Sequence, residues 1–168
     1  MTIDHICVIL LFGFAAEMAV AAPVSVKVAS HGQTSVSVTA NKLLVQVKIR
    51  THEEEIGKQS DPPPKVIDSN CTYSRYPCSV VDRLEIIVKG VSLFVPRSAF
   101  CDLADLNTAE INTSTRGITL KLVGGDGAAS FVVNIEFDAN RVKRRTLAGG
   151  ESGGKLSQDT TYHEVVFN

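Results

Sequence analysis

The chain has 168 residues, 17 of them basic and 18 acidic, and it contains no tryptophan. That length suits a single domain with a hydrophobic core of its own. The formal net charge of −1 excludes a chain that acts as a polycation or polyanion throughout, so a charged partner would have to be recognised locally.

The N-terminus is typical of a secretory signal peptide. The apolar run ICVILLFGFAA at 6–16 is too short to span a membrane as a helix, which takes about 20 residues. The AVA sequence at 19–21 matches the small-x-small pattern that precedes a cleavage site. We therefore expect an exported protein, periplasmic or secreted, with a signal peptide at 1–21, a single domain at 22–168 and no transmembrane helix after cleavage.

Alternation of apolar and polar residues predicts β-strands at 24–29, 35–39 and 43–50. The pattern then stops at 51–79, a segment that has no clear period and contains a stiff PPP triplet at 62–64. Connections of this length are uncommon within compact domains and are usually functional or disordered. The long loop predicted at 51–79 is therefore a candidate for the functional region.

Three cysteines remain after signal cleavage, because Cys7 lies within the signal. Cys71 and Cys78 are close in sequence, and such pairs usually form disulfides in exported proteins. We predict that these two are bridged and that Cys101 is a buried free thiol. The alternative is a bridge from Cys101 to one of the other two. The spacings of structural zinc sites do not occur, so we expect no metal and no cofactor.

The segment CTYSRYPC contains three residues of types that are common in binding sites: Tyr73, Arg75 and Tyr76. Tyrosine and arginine are enriched at binding hot spots, because they combine a large contact area with directed polar groups. A covalently closed loop also loses less conformational entropy when it binds. We predict a recognition loop. The alternative is a pinned connection whose tyrosines lie on the protein's own surface.

Two hairpins are predicted further along the chain, at 84–95 around a Lys-Gly turn and at 118–137 around a GGDG turn. Glycine favours such turns because it accepts a positive φ angle. Between the hairpins, apolar residues recur at helical spacing over 99–106, and Ser98 can cap the N-terminus of a short helix there.

The run ANRVKRRTL at 139–147 is strongly basic, and on a strand its odd-numbered charges would share one face. Its four cationic side chains are candidates for binding a polyanion: Arg141, Lys143, Arg144 and Arg145. Because odd positions just upstream are apolar, residues 138–140 must form a turn or bulge that resets the alternation. The alternative is a solvated face that is balanced by nearby acids. No aromatic residue is interleaved with the charges, so we expect no specific nucleic-acid binding.

The chain ends in a glycine- and serine-rich segment at 149–159, predicted to be a flexible loop, and a terminal strand at 161–167. Many strands with one short helix predict an all-β fold, either a single antiparallel β-sandwich or a small, partly open barrel.

Three stretches carry a resemblance to a known family: SLFVPRSAFCDLAD, GGDGAASFVVNIEFDANRVKRRTL and TTYHEVVF. Over roughly 82–168 the chain resembles a family of small bacterial proteins of uncharacterised activity. The resemblance implies a bacterial source and a β-rich fold. It implies no ligand or catalytic residue, and it does not extend to the cysteine-bounded loop.

Catalytic signals are weak. His31, His52 and His163 are far apart in sequence, and neither H-E-x-x-H nor G-x-S-x-G occurs. We therefore expect a non-enzymatic, exported binding or inhibitor-like module of the bacterial envelope, whose partner is an envelope or extracellular protein or a polyanion. The alternatives are a structural or assembly subunit that pairs through a strand edge, or an enzyme whose site is assembled from distant residues.

The signal peptide predicts a defined mature N-terminus at Ala22. Cleavage after Ala21 is expected because a cut one residue later would place Pro23 first. The intact mass of protein recovered from the cell envelope measures the cleavage position. Retention of residues 1–21 in that fraction would contradict the prediction.

Overall fold

The computed structural model describes residues 23–40, 43–55, 70–72, 75, 77–115, 117–150 and 153–163. Strands account for most of them: β1 Val24–Lys27, β2 Gly32–Ala40, β3 Leu43–Glu54, β4 Cys78–Val88, β5 Val91–Ser92, β6 Leu106–Ser114, β7 Gly117–Gly124, β8 Phe131–Phe137, β9 Val142–Gly149 and β10 Leu156–Thr161. Within these residues the helical segments are two short 3₁₀ turns, Arg97–Ala99 and Gly127–Ala129.

The strands form two antiparallel sheets that pack face to face. Strand order is β1-β6-β7-β8-β9-β10 in the six-stranded sheet and β2-β3-β4-β5 in the four-stranded sheet. The chain crosses from the first sheet to the second at 28–31 and returns at 93–105. The sheets do not close into a barrel, so the fold is the predicted β-sandwich.

Side chains alternate between core and solvent along the central strands, because successive residues of a strand point to opposite faces. Val45, Val47 and Ile49 of β3 point inward and are fully buried. They belong to one continuous core with Leu120 of β7 and Ile135 of β8 on the facing sheet. The apolar pattern of the sequence therefore became the interior of the sandwich.

Both predicted hairpins are present. β4 turns into β5 through Lys89 and Gly90, whose φ angles of 53° and 81° are the left-handed values that a two-residue turn requires. β7 and β8 pair in register from Ile118 opposite Phe137 to the GGDG turn. The first hairpin is shorter than predicted, because β5 contains only 2 residues.

The helix predicted at 99–106 is wrong. The helical turn ends at Ala99. Beyond it the chain hydrogen-bonds to β4, since the N–H of Val81 donates to the Leu103 carbonyl at 3.0 Å. Apolar residues three apart fit a 3₁₀ turn followed by an extended segment as well as they fit an α-helix. Cys101 is a free thiol, as predicted, but the turn exposes it to solvent rather than burying it.

The long loop is shorter than predicted. β3 continues to Glu54 and β4 begins at Cys78, so both ends of the segment 51–79 belong to the four-stranded sheet. Residues 51–54 and 78–81 pair as neighbouring strands, which satisfies backbone N–H and C=O groups of both stretches. The local sequence does not reveal this pairing, because the two stretches are more than twenty residues apart.

The C-terminal boundaries also differ. β10 begins at Leu156, inside the segment 149–159 that was expected to be a flexible loop. The terminal strand predicted at 161–167 lies largely outside the described residues. β6, with the polar sequence LNTAEINTS, is a strand that the sequence did not predict.

A β-bulge in β9 turns Arg145 into the interior of the sandwich. The pairing of β9 with β8 shifts register between Val142 and Arg144, which makes Lys143 an additional residue in β9. An added residue reverses the alternation of the strand beyond it. The prediction that Arg145 binds a polyanion is therefore wrong, because its side chain is 0% exposed.

Arg145 joins the six-stranded sheet to the segment that returns from the four-stranded sheet. Its Nη2 donates to both oxygens of the Asp102 carboxylate, at 2.8 and 2.7 Å, and its Nε donates to the Ala99 carbonyl at 3.2 Å. Its Nη1 contacts the side-chain oxygen of Gln158 on β10. Because a buried guanidinium needs such partners, these contacts hold the crossing at 93–105 against β9 and β10.

We expect Arg145→Met to lower the free energy of unfolding by about 1–3 kcal/mol, because the half-buried Asp102 carboxylate and the Ala99 carbonyl lose their hydrogen-bond donor. Arg144→Met, one residue earlier, removes a guanidinium that lies on the surface and should have a much smaller effect. Urea unfolding of both variants measures the difference. Equal losses would show that the buried ion pair does not hold the crossing.

Candidate functional site

The predicted disulfide is present between Cys71 and Cys78. Their Cα atoms lie 5.7 Å apart with a sequence separation of 7. Cys78 is the first residue of β4, and both cysteines pack against Ala104 at the end of the crossing segment. The bridge therefore attaches the end of the long loop to the first residue of β4.

A buried carboxylate, Asp105, positions the segment 71–78 that the disulfide closes, which we call the disulfide segment. Its Oδ2 accepts the backbone N–H of Thr72 at 2.7 Å, and its Oδ1 accepts the backbone N–H of Ser79 at 2.9 Å. The residue is 3% exposed. A buried charged group is costly unless it is hydrogen-bonded. Here one carboxylate oxygen bonds the residue after Cys71 and the other bonds the residue after Cys78, so both ends of the bridge are held.

The backbone of Asp105 makes three more connections. Its N–H donates to the Ser79 carbonyl at 2.6 Å, and its carbonyl accepts the N–H of Gly125 at 3.0 Å and Nη1 of Arg75 at 3.3 Å. These bonds require the left-handed backbone conformation, with a φ angle of 48°. Aspartate tolerates that conformation better than most residues do. One residue therefore joins β4, the disulfide segment and the β7–β8 turn.

Of the three predicted partner-binding residues, the structure describes Arg75. Its Nη1 and Nη2 donate to the carbonyls of Asp105 and Gly125 at 3.3 and 3.4 Å, and its side chain is half-buried. Tyr73 and Tyr76 lie outside the described residues. Their role in binding stays a prediction, whereas Arg75 has a structural role in addition to any contact with a partner.

A groove of about 730 Å³ lies between the crossing at 28–31 and the disulfide segment. Lys27 and His31 border it on the first side, and Arg75 borders it on the other. Among the described residues that line it, Asp105 is the single acid, and both of its carboxylate oxygens are already bonded to backbone N–H groups. With histidine taken as neutral, Lys27 and Arg75 outweigh Asp105, so the described lining of the groove is electropositive.

Other polar side chains of the groove are used in structural bonds. The Ser79 hydroxyl donates to the Ser30 carbonyl at 2.7 Å, and the Asn107 amide donates to the Gly125 carbonyl at 2.7 Å. A nucleophilic serine needs a base to accept its proton. The Ser79 hydroxyl instead donates to the Ser30 backbone carbonyl, so Ser79 is not activated as a nucleophile in this arrangement.

One cluster of described residues has the spacing of a metal site. The sulfur atoms of Cys71 and Cys78 and a carboxylate oxygen of Asp105 lie within 4.8 Å of one another. The sulfurs are joined in a disulfide and are not thiolates, which are the form that ligates metals. The cluster in its oxidised form therefore lacks the ligand chemistry for a metal ion.

The basic run at 139–147 is largely neutralised within the protein. Lys143 Nζ lies 2.9 Å from Asp138, and Arg144 donates from Nε and Nη2 to both oxygens of Asp159 at 2.8 and 2.7 Å. For Arg141, Lys143 and Arg144, polyanion binding stays a prediction that internal pairing disfavours.

These pairs shift the pKa of both acids. The hydrogen bond from Arg144 holds the pKa of Asp159 below its ordinary value. Burial alone would raise the pKa of Asp138, but bonds from Lys143 and from the backbone N–H groups of Asn140 and Arg141 lower it overall. Both carboxylates therefore remain charged at neutral pH and continue to neutralise the run.

Sequence reasoning missed Asp105, Lys27 and His31 as site residues. Nothing in the sequence distinguishes Asp105 from Asp102 three residues earlier, because burial and a positive φ angle arise only when the crossing segment meets β4. Lys27 and His31 are separated from the disulfide loop by about forty residues, and the β1–β2 crossing brings them to the groove.

Comparisons with protein-family models, with curated proteins and with solved structures found no match. The family resemblance of 82–168 therefore stays a prediction. Among the described residues, no helix is long and apolar enough to cross a membrane.

We expect Asp105→Asn to lower the free energy of unfolding by about 1–3 kcal/mol. Asparagine keeps the shape and tolerates the positive φ angle, but its NH₂ group would face a backbone N–H that needs an acceptor. Trypsin should then cleave the native protein faster after Arg75, because the disulfide segment is less firmly held. Glu110→Gln, on the adjoining strand β6, is the matched control and should change neither measurement. If the two variants behave alike, Asp105 does not anchor the segment.

Proposed function

We propose that this protein is an exported, non-enzymatic binding module whose partner docks in the groove beside the disulfide segment. The observation that carries the proposal is the electropositive groove of about 730 Å³, bordered by Lys27, His31 and Arg75. The partner that fits is an envelope or extracellular protein that presents an acidic segment.

The rigidity of the groove supports a binding role. One wall is held by the Cys71–Cys78 bridge and by the bonds of Asp105 to both ends of the bridged segment. The Ser79–Ser30 bond links this wall to the crossing that forms the other. A surface that is ordered before binding loses less entropy when the partner arrives, which raises affinity.

Charge also favours an acidic partner. Lys27 and His31 are exposed, and no described residue is recorded within ion-pair distance of either side chain. The charges of the basic run at 139–147, in contrast, are mostly matched by acids of the protein itself. An incoming carboxylate would therefore gain more at Lys27, because no acid among the described residues already pairs with this side chain.

Export is supported by the disulfide together with the signal-like N-terminus. Disulfides form and persist in oxidising compartments such as the periplasm and the exterior, and are rare in reducing ones. Because the bridge also fixes the candidate binding surface, the protein would become competent to bind only after export to an oxidising compartment.

Charge reversal tests the proposal. Immobilised wild-type protein and the double variant Lys27→Glu with His31→Glu are exposed to envelope proteins of the source organism, and captured proteins are quantified by mass spectrometry. We expect at least a tenfold loss of the specific partner, since two like charges would then face its acidic segment. The matched control, Lys155→Glu with His163→Glu, changes the same residue types at exposed positions elsewhere. Equal capture by all three proteins would overturn the assignment of the groove.

A further inference from the structure

A sandwich of two open sheets has four edge strands, and three of them are short or irregular. β5 has 2 residues and β1 has 4, the last of them Lys27. β10 carries a bulge between Leu156 and Gln158 and a charged residue, Asp159. Shortness, bulges and charges are the features that keep exposed edges from pairing with other chains.

The fourth edge, β2, has none of these features. It runs for 9 residues, GQTSVSVTA, without a charged residue or a proline. All nine positions pair with β3 in unbroken register, from Gly32 opposite Thr51 to Ala40 opposite Leu43. Among the described residues, β2 has no neighbour on its other side. About half of its backbone N–H and C=O groups therefore point away from the sheet.

Side chains on β2 leave this backbone edge accessible. Val36 and Val38 point into the core and are 2% and 6% exposed, so the strand is held firmly in place. The opposite face presents small or uncharged side chains that are all exposed: Gln33, Ser35, Ser37 and Thr39. The edge is thus free of bulges, anchored by its valines and neutral, which makes it a template for another strand.

We propose that β2 is an assembly edge, which pairs antiparallel with β2 of a second copy and joins two four-stranded sheets into one of eight strands. A two-fold axis at Val36, the central residue of Gly32–Ala40, places Ser35 opposite Ser37 of the other copy. This register keeps the valines of both copies on the core side, as the period of two requires.

Self-pairing suits the charges on this face. The strand is neutral, so no like charges meet at the junction, and facing serine and threonine hydroxyls can form cross-strand hydrogen bonds. The nearest basic side chains on the same face, Lys48 and Arg50, are on β3. The two copies of β3 would be three strand spacings apart, about 14 Å. That exceeds the screening length of about 8 Å at physiological salt, so these charges do not oppose pairing.

This assembly can be tested separately from the groove. The groove is bordered by Lys27, His31 and the disulfide segment, whereas the edge is Gly32–Ala40, which begins one residue after His31 and whose tested positions, Ser35 and Ser37, do not line the groove. Loss of partner capture and loss of self-association can therefore be measured on different variants, and either proposal can fail alone.

The experiment is sedimentation equilibrium of the purified protein over a range of micromolar concentrations. We expect the wild type to reach twice its monomer mass. Two variants, Ser35→Lys with Ser37→Lys and Ser35→Glu with Ser37→Glu, should each remain monomeric, because like charges would lie directly opposite at the junction. An equimolar mixture of the two should regain the doubled mass, since lysine then faces glutamate.

Ser92→Lys, an exposed position on the distant edge strand β5, is the matched control and should dimerise as the wild type does. Thermal unfolding of all variants checks that the exposed substitutions leave the fold intact. A wild type that stays monomeric would overturn the proposal and leave the edge for a different partner. Undiminished dimerisation of the lysine variant, or a mixture that stays monomeric, would overturn it as well.

Discussion

The carboxylate of Asp105 is buried, and two backbone N–H groups stabilise it there. The same two hydrogen bonds fix the position of the disulfide segment. Thr72 and Ser79 supply those groups from the two sides of the bridge. Because desolvating a carboxylate is costly, the segment, β4 and the crossing must come together in one arrangement. The disulfide limits how far its ends can separate, and Asp105 determines where on the sandwich they lie.

The two crossings between the sheets have different roles. The segment 93–105 is held against β9 and β10 by the guanidinium of Arg145, and its last residue, Asp105, lines the groove. The short crossing at 28–31 forms the other border of the groove and leads directly into β2. The groove and the long neutral edge therefore adjoin at the crossing 28–31.

Some basic side chains pair with acids of the protein itself and others face solvent at the groove, and the sequence does not distinguish the two cases. The run at 139–147 contains four cations, yet one is buried by a bulge and two are paired with Asp138 and Asp159. Lys27 lies outside any charged run of the sequence, yet it borders the groove and pairs with no acid among the described residues. A local cluster of charges is thus a poor guide to an electropositive surface, because strand pairing decides which acids become neighbours.

The sequence by itself determined the elements whose signals are local. Alternation specified β1, most of β2 and β3, the second half of β4, β7 and β8; glycine-containing turns specified two hairpins, and short spacing specified the Cys71–Cys78 bridge. Three features depended on the tertiary structure: the extended chain in place of a helix at 99–106, the burial of the Arg145 side chain and the anchoring role of Asp105. In each case a backbone or a charge found its hydrogen-bonding partner on a segment remote in sequence, and no local pattern encodes which remote groups will meet.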